Sequence, residues 1–544
     1  MRQFTRSIVA GRDIDGPHTI RCVNPATGEQ WSTVSALDED GARSAVQAAR
    51  EAFPAWADTP VRERMRVLGR WLEIMLAEEG ELARMVSTEG GKPVAESRLV
   101  DVFPGLETLK YYAEHLDEML AFRPVAPEQI LFSHWRAGYR FDPLGVMAVI
   151  TPWNYPVGIP MAEIVPAIGA GNTLVFKPAS ATVQTGLMLA DMARRAGVPD
   201  GVLNAVALPG AATDALLDHP DVVKVLFTGS VDIGRHVARR CAERIIPAQL
   251  ELGGKDAAVV AADADLERTA RGIVWGAFMN SGQTCASIER VYVERPLYRP
   301  LLDRMVRLTR EIRLGDPFDA STDMGPLTTR GQRDIVARHV SDAVAAGARA
   351  LTGGELPEGP GWYYPPTILV DVTDDMEIIH EETFGPVMPV MSVDSLDEGI
   401  RRANDSKFGL TASGWTRSRA TAERLQRELD AGVVTINDHA VAFAEATGAW
   451  GGLRESGIGR AHGAFGLHEL VNVKYVVHDP GDDRATPWYY PYDEDFQEFL
   501  STAMPLLYGS GLDKFAQLDR LAATRRFRER VRKTTLLANV GKLL

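Results

Sequence analysis

Cysteine is scarce in this chain. Cys22, Cys241 and Cys285 are the only three among 544 residues, an odd and scattered set that excludes a disulfide framework. No two of them form a CxxC pair, so their spacing fits no zinc site and no bound metal is expected. A reducing, cytoplasmic setting is the simplest expectation. Long unbroken apolar runs are also missing. The apolar stretch from Leu144 to Phe176 is interrupted by Pro152, Pro156, Pro160 and Pro166, and it reads as buried strand, loop and helix rather than a membrane span. The opening MRQFTRSIVAGRDIDG has no sustained apolar segment, so no signal peptide is expected. An excess of basic residues is lacking too: 59 Lys and Arg face 73 Asp and Glu, for a formal net charge of -14. That disfavours nucleic acid as a partner, because phosphate binding needs a basic face. No internal repeat is evident.

What is present is the composition of a globular protein with large cores: 45% hydrophobic and 24% charged residues. The length suggests two to four domains. VNPATGEQ reads as a strand pair and turn, and Asp38 to about Leu120 as helix-rich. Then GVMAVITPWN, NTLVFKPA, VLNAVALP and VKVLFTGS form short apolar runs that end in Pro, Gly or Asn, with amphipathic helices between them. That alternation predicts a parallel, doubly wound α/β sheet. A second α/β series follows Leu252, in DAAVVAADAD, RVYVERP, VMPVMSVDS and GVVTIND. Arg123–Asp142 and HELVNVKYVVHD read as strands outside both sheets, and the composition shifts again from Gly481.

Several residues could carry chemistry, each with a plainer reading beside it. Cys285, in MNSGQTCASIER, lies among small polar residues that suggest a loop; it is either a nucleophile or a buried free thiol. Glu251, in AQLELGGKD, ends an apolar run, where burial would raise its pKa toward that of a useful base; a salt-bridged strand end is equally compatible. Asn154, between the two prolines of PWNYP, offers a neutral amide donor suited to an oxyanion, or is merely a turn residue. In VLFTGSVDIGRHV a strand runs into Gly229 and Ser230 before a helix, a turn able to present N–H groups to a pyrophosphate, although the spacing is not GxGxxG. Lys177 ends the strand TLVFK within reach of a ribose hydroxyl, or is a solvated loop lysine. Glu382 and Phe384, in EETFGPV, could hold a ribose and pack on a nicotinamide, or form an acidic turn.

WNYP, FKPA, FTGS, ELGGKD, GQTC, EETFGP and GGLRESGIGR occur in this order, and through them the chain resembles the aldehyde dehydrogenase superfamily from about Arg21 to His478. The resemblance implies a cofactor-binding domain (1–123 and 142–252), a catalytic domain (253–467) and a small bridging element used in oligomerisation (124–141 and 468–480). A C-terminal extension (481–544) lies beyond the family's usual end. It implies oxidation of an aldehyde to an acid with NAD or NADP, by a homodimer or homotetramer. Cys285 resembles the nucleophile, Glu251 the base that activates water for thioester hydrolysis, and Asn154 with the Cys285 backbone N–H the oxyanion hole. Lys177 resembles the adenine-ribose ligand, Glu382 the nicotinamide-ribose ligand and Phe384 the nicotinamide packing residue. Gly229, Ser230 and Trp153 line the same turn by resemblance, and Tyr155, Ala162, Met279 and Trp450 line the substrate tunnel. That tunnel set is apolar and suggests an aliphatic or aromatic aldehyde.

Three departures stand out. Ser180 occupies a position where many members carry a glutamate that pairs with the ribose 2′-hydroxyl; a neutral residue does not repel a 2′-phosphate, which leaves NADP open. Glu163 replaces a lysine and Ala461 an acid at two positions associated with proton traffic to the catalytic glutamate. Glu163 is expected to raise the Glu251 pKa by like-charge coupling. The tail contains TPWYYPYDEDFQEFLSTAMPLLYGSG and TRRFRERVRK. Its foremost reading is an arm packing on a neighbouring subunit, because exposed Trp488, Tyr489, Tyr490 and Phe496 would be costly. A membrane-surface helix using Arg525, Arg526, Arg528, Arg530, Arg532 and Lys533 comes next, then a solvated helix. Two rival functions remain: an acyl-transferring member of the coenzyme A type, against which Glu251 argues, and a non-catalytic structural member, which would tolerate loss of Cys285.

Overall fold

A computed structural model describes residues 2–129, 132–480, 486, 488–510 and 513–530. The chain forms two compact units, one of Met1–Met119 and Pro143–Val471, the other of Leu120–Asp142 and Asn472–Leu544. Arg532 and Lys533 of the basic run lie outside the described residues.

The first unit contains two helix-covered sheets. The strands Val146–Ile150 and Thr173–Lys177 are buried at every position, as parallel strands covered on both faces must be. The order across the eight-stranded sheet is Gly457–Ile458, Ala248–Glu251, Val222–Thr228, Val146–Ile150, Thr173–Lys177, Leu203–Ala205, Ser7–Val9 and Arg12–Ile14. The five central strands are parallel. From Val146–Ile150 the chain winds to one side, through Thr173–Lys177 and Leu203–Ala205. It then crosses back to Val222–Thr228 and Ala248–Glu251 on the other side. The reversal opens a crevice at the carboxyl ends of Val146–Ile150 and Val222–Thr228, which is where open α/β sheets bind ligands. Helix Gly158–Ala170 is buried along its whole length, consistent with a sequence that is apolar apart from Glu163, and stops at Gly171, whose φ of +99° is the left-handed conformation of a glycine cap.

The second sheet runs Arg349–Ala350, Thr367–Val370, Val387–Val393, Ile288–Glu294, Asp256–Val260, Thr411–Trp415 and Val433–Ile436, parallel except at the short first strand. The structure is thus α/β with two doubly wound layers. VNPATGEQ turns a hairpin between His18–Asn24 and Glu29–Ala36.

The second unit pairs Arg123–Val125 with Arg136–Pro143 in antiparallel fashion, and Val471–His478 lies beside the latter. Its tail folds into helices Glu494–Tyr508, Asp513–Ala523 and Arg525–Arg530 around Phe499, Ala503, Leu506 and Leu521. Two sequence expectations for the tail change here. Phe496 packs against this small core and stacks on Tyr492 at 4.7 Å, so it is not left exposed. Arg526 is buried, lies 4.4 Å over the Phe496 ring and donates to the Tyr489 carbonyl at 2.7 Å, so it offers no charge to a membrane. Tyr489 and Tyr490 remain exposed. No described helix is long and apolar enough to cross a membrane.

Candidate active site

At the crevice of the first sheet lies a cavity of about 790 Å³. Its floor is made of strand ends: Thr151–Asn154 follow one strand, Gly229 and Ser230 another, and Lys177 and Glu251 close two more. Ser180, Trp153, Glu382, Phe384 and Cys285 complete the set named from sequence. A side chain at Gly229 would strike the Phe227 ring at 2.5 Å, so the turn there needs glycine. Gly253 plays a similar part: a Cβ would meet the Glu382 carboxylate at 2.3 Å, and its absence lets that acid reach the cavity.

Lys177 is not a solvated loop residue. It is 8% exposed, and burial pushes its pKa down to about 8. Among the described residues its Nζ finds the Pro178 carbonyl at 3.4 Å and no carboxylate at ion-pair distance. A buried ammonium so placed is suited to an oxygen-rich ligand. Glu382 accepts from the Gly254 N–H at 3.1 Å; burial, then the neighbouring Glu289, raises its pKa to about 8. The loop that carries Glu382 is held from behind. Glu289 accepts the N–H groups of Thr383 and Phe384, both at 2.8 Å, and itself pairs with buried Lys255. This clamp sustains a φ of +51° at Phe384, a strained value for an aromatic residue. The Phe384 ring meets Trp153 edge-on at 5.5 Å. Lys255 stands in the ELGGKD motif and Glu289 just after GQTC, but only their burial and pairing in the structure reveal the role.

Cys285 lies in the turn before strand Ile288–Glu294, after a kink in which Asn280 and Ser281 adopt φ of +53° and +54°. It borders both the first cavity and a second one of about 340 Å³. Burial, reinforced by Asp256, Glu382 and Glu251, pushes its thiol pKa well up, so the thiol is protonated at rest. Asn154 stands beside it. One amide N–H of Asn154 donates to the Gln283 carbonyl at 3.0 Å, so only the other is left for a ligand. The Asn154 carbonyl is pinned by Lys92 Nζ and Asn280 Nδ2, each at 2.9 Å. Lys92 pairs in turn with Asp101 at 3.0 Å, a buried strut that no motif announces.

Both carboxylate oxygens of Glu251 are buried and find no partner among the described residues. Burial, then the charge of Glu163, raises its pKa well above the carboxylate range, while Arg460 opposes the shift. Glu163 and Glu251 border a small cavity of about 20 Å³, room for roughly one water. Gln249 donates to Glu163 at 3.2 and 3.3 Å, and burial holds the Glu163 pKa up at about 7 against the pull of Lys224.

Tyr155, Met279 and Trp450 line the second cavity. Ala162 does not; it borders the small water-sized space beside Glu163. It sits one turn further along its helix than Ile159, which does reach the tunnel, and so faces the deeper cavity. Most of the tunnel wall lacked a sequence signal: Leu99, Val100, Phe103, Trp275, Ala440 and Phe443 come from separate helices and a loop.

Comparison with known proteins gives the family. The model of the aldehyde dehydrogenase family matches residues 13–476. Succinate-semialdehyde dehydrogenase [NADP(+)] 1 of Mycobacterium tuberculosis is 36% identical over 458 residues, covering 84% of this chain and 99% of the relative. The 3-sulfolactaldehyde dehydrogenase of Pseudomonas putida is 34% identical, covering 85% and 94%. The NAD+ complex of aldehyde dehydrogenase from Bacillus cereus superposes with a TM-score of 0.84 at 34% identity, covering 87% and 96%. With the family model spanning residues 13–476, relatives more than 30% identical over 84% of its length and a matching fold, this chain belongs to the aldehyde dehydrogenase family.

Proposed function

We propose that this protein oxidises an aldehyde to its carboxylic acid, with NAD or NADP as hydride acceptor and Cys285 as nucleophile. The observation that carries the reading is the place of Cys285, on the wall shared by a wide cavity that carries Lys177, Glu251 and Glu382 and an apolar tunnel. The first cavity fits a dinucleotide: a buried lysine without a carboxylate, a glycine turn at the start of helix Val231–Glu243 and a half-buried acid for ribose hydroxyls.

The Cys285 sulfur loses its proton and attacks the carbonyl carbon. The oxygen that becomes negative is met by the remaining Asn154 amide N–H and the Cys285 backbone N–H, donors fixed in advance by the Lys92–Asn280 bracing. The nicotinamide, when bound, takes the hydride that leaves this carbon. A thioester remains on Cys285. Glu251, whose two carboxylate oxygens are buried without a partner among the described residues, deprotonates a water that attacks the thioester and frees the acid. Overall, aldehyde, water and oxidised cofactor give carboxylate, reduced cofactor and two protons. The domain boundaries given by the resemblance and a homo-oligomeric state belong to the same proposal. The exposed Val473, Tyr475 and Val477 alternate along strand Val471–His478 and offer one face to a second copy.

The test is reduced-cofactor absorbance with an aldehyde panel, run with NAD and NADP in parallel. Cys285→Ala is expected to lower the rate by at least ~10⁴-fold while cofactor still binds. Undiminished oxidation by that variant would refute the assignment.

A further inference from the structure

The tunnel beyond Cys285 is lined by Leu99, Val100, Phe103, Pro104, Ile159 and Met279, with Trp275, Phe443 and Trp450 also on its wall. No lysine, arginine or histidine is among its lining residues. Tyr155 and Thr284 contribute hydroxyls, but these bond each other at 2.6 Å. Buried His462 lies 4.9 Å from the Phe443 ring, and burial pushes its pKa down to about 4, so it carries no charge, while three cations near the wall are paired. Lys92 lies behind the Tyr155 ring, 4.1 Å from its centroid, and is tied to Asp101 and the Asn154 carbonyl. Arg98, next to Leu99, pairs with Glu79 at 2.8 Å, and Arg271, one turn before Trp275, lies 3.7 Å from Glu267. Both arginines are more than half exposed on the outer surface. The wall reaches that surface through Leu99, Phe103, Trp275 and Val441, all exposed and all apolar.

A carboxylate or sulfonate drawn into this tunnel would lose its water and gain no cation in return, leaving a buried charge uncompensated. An alkyl chain or an aromatic ring would gain contact along the whole wall. We infer that the substrates of this chain are uncharged, apolar aldehydes, aliphatic or aromatic, and that it rejects aldehydes bearing an anionic group at the far end. The inference rests on the reading of Cys285 as the nucleophile. It separates this chain from the two relatives named for succinate semialdehyde and 3-sulfolactaldehyde, whose substrates carry such a group.

The experiment compares kcat/KM for hexanal, octanal and benzaldehyde with that for succinate semialdehyde, using the full chain and saturating cofactor. Calorimetric binding of octanamide and of succinamate is measured beside it, because these amides report tunnel preference without turnover. Hexanal and octanal are expected to exceed succinate semialdehyde by on the order of a hundredfold, and octanamide alone is expected to bind. Trp275→Arg places a guanidinium on the wall at an exposed position and is expected to narrow that ratio at least tenfold, leaving cofactor KM unchanged. Faster turnover of succinate semialdehyde, or binding of succinamate in preference to octanamide, overturns the inference while the proposed chemistry stands. Binding of octanamide without oxidation of any aldehyde keeps the apolar preference and overturns the catalytic reading instead.

Discussion

The cavity on one side of Cys285 is assembled from strand ends and glycine turns, while the tunnel on the other side is assembled from helix flanks and a loop. Backbone supplies much of the first, so its shape is set by the sheet and its motifs are short and contiguous. Side chains supply the second, and they arrive from positions as far apart as Leu99 and Trp450. The first can be read along the chain; the second only across the fold. The difference also suits the proposed tasks: a cavity whose outline is fixed by backbone suits one kind of cofactor, and a side-chain wall can be altered for different aldehydes without disturbing the sheet.

That contrast can be broken or sharpened by substitution. The largest effect after loss of Cys285 is expected at the boundary itself. Asn154→Ala removes an oxyanion donor and should lower kcat by ~10²–10³-fold for every aldehyde, with cofactor affinity little changed. A loss confined to one class of aldehyde would instead make Asn154 part of the tunnel. Next is Ser180→Glu, on the cofactor side only. A carboxylate there should repel a 2′-phosphate and raise KM for NADP about tenfold or more relative to NAD, and the order of preference among aldehydes should not move. If that order changes, the two cavities are not separable. The smallest effect is expected at Glu163→Gln, which lies behind both. Glu163, Lys224, Gln249, Arg460, Thr228 and the buried His462, whose pKa burial pushes down to about 4, are among the polar groups around the buried Glu251 system. Removing a like charge lowers the Glu251 pKa, so the base is deprotonated at lower pH and the acid limb of the kcat–pH profile moves down. An acid limb that stays in place would eliminate the coupling.

The sequence carried the sheets well. GVMAVITPWN, NTLVFKPA and VKVLFTGS are buried apolar runs with turn residues at their ends, and each became a central parallel strand. Lys177, Gly229, Ser230, Glu251 and Glu382 fell into one cavity because strand ends and the turns after them converge at the sheet's switch point. Ala162 was misplaced because a helix on which every residue is buried has no polar face to show which side meets the tunnel. The struts behind the site stayed hidden for another reason. Lys92 and Asp101, or Lys255 and Glu289, look like ordinary surface charges until the fold shows them paired and buried. The tail misled by its aromatics, since Phe496 and Arg526 satisfy one another within the same few helices.

The protonated state of the Cys285 thiol bears on how the protein ages. Peroxides and alkylating agents attack the thiolate far faster than the thiol, and the oxidation that follows becomes irreversible beyond the sulfenic acid. A cysteine surrounded by buried acids, with no cation at its side, is a poor target for such reagents despite its access to two open cavities. The burial that demands help to start a reaction, reinforced by the neighbouring acids, therefore also disfavours the reactive thiolate between reactions.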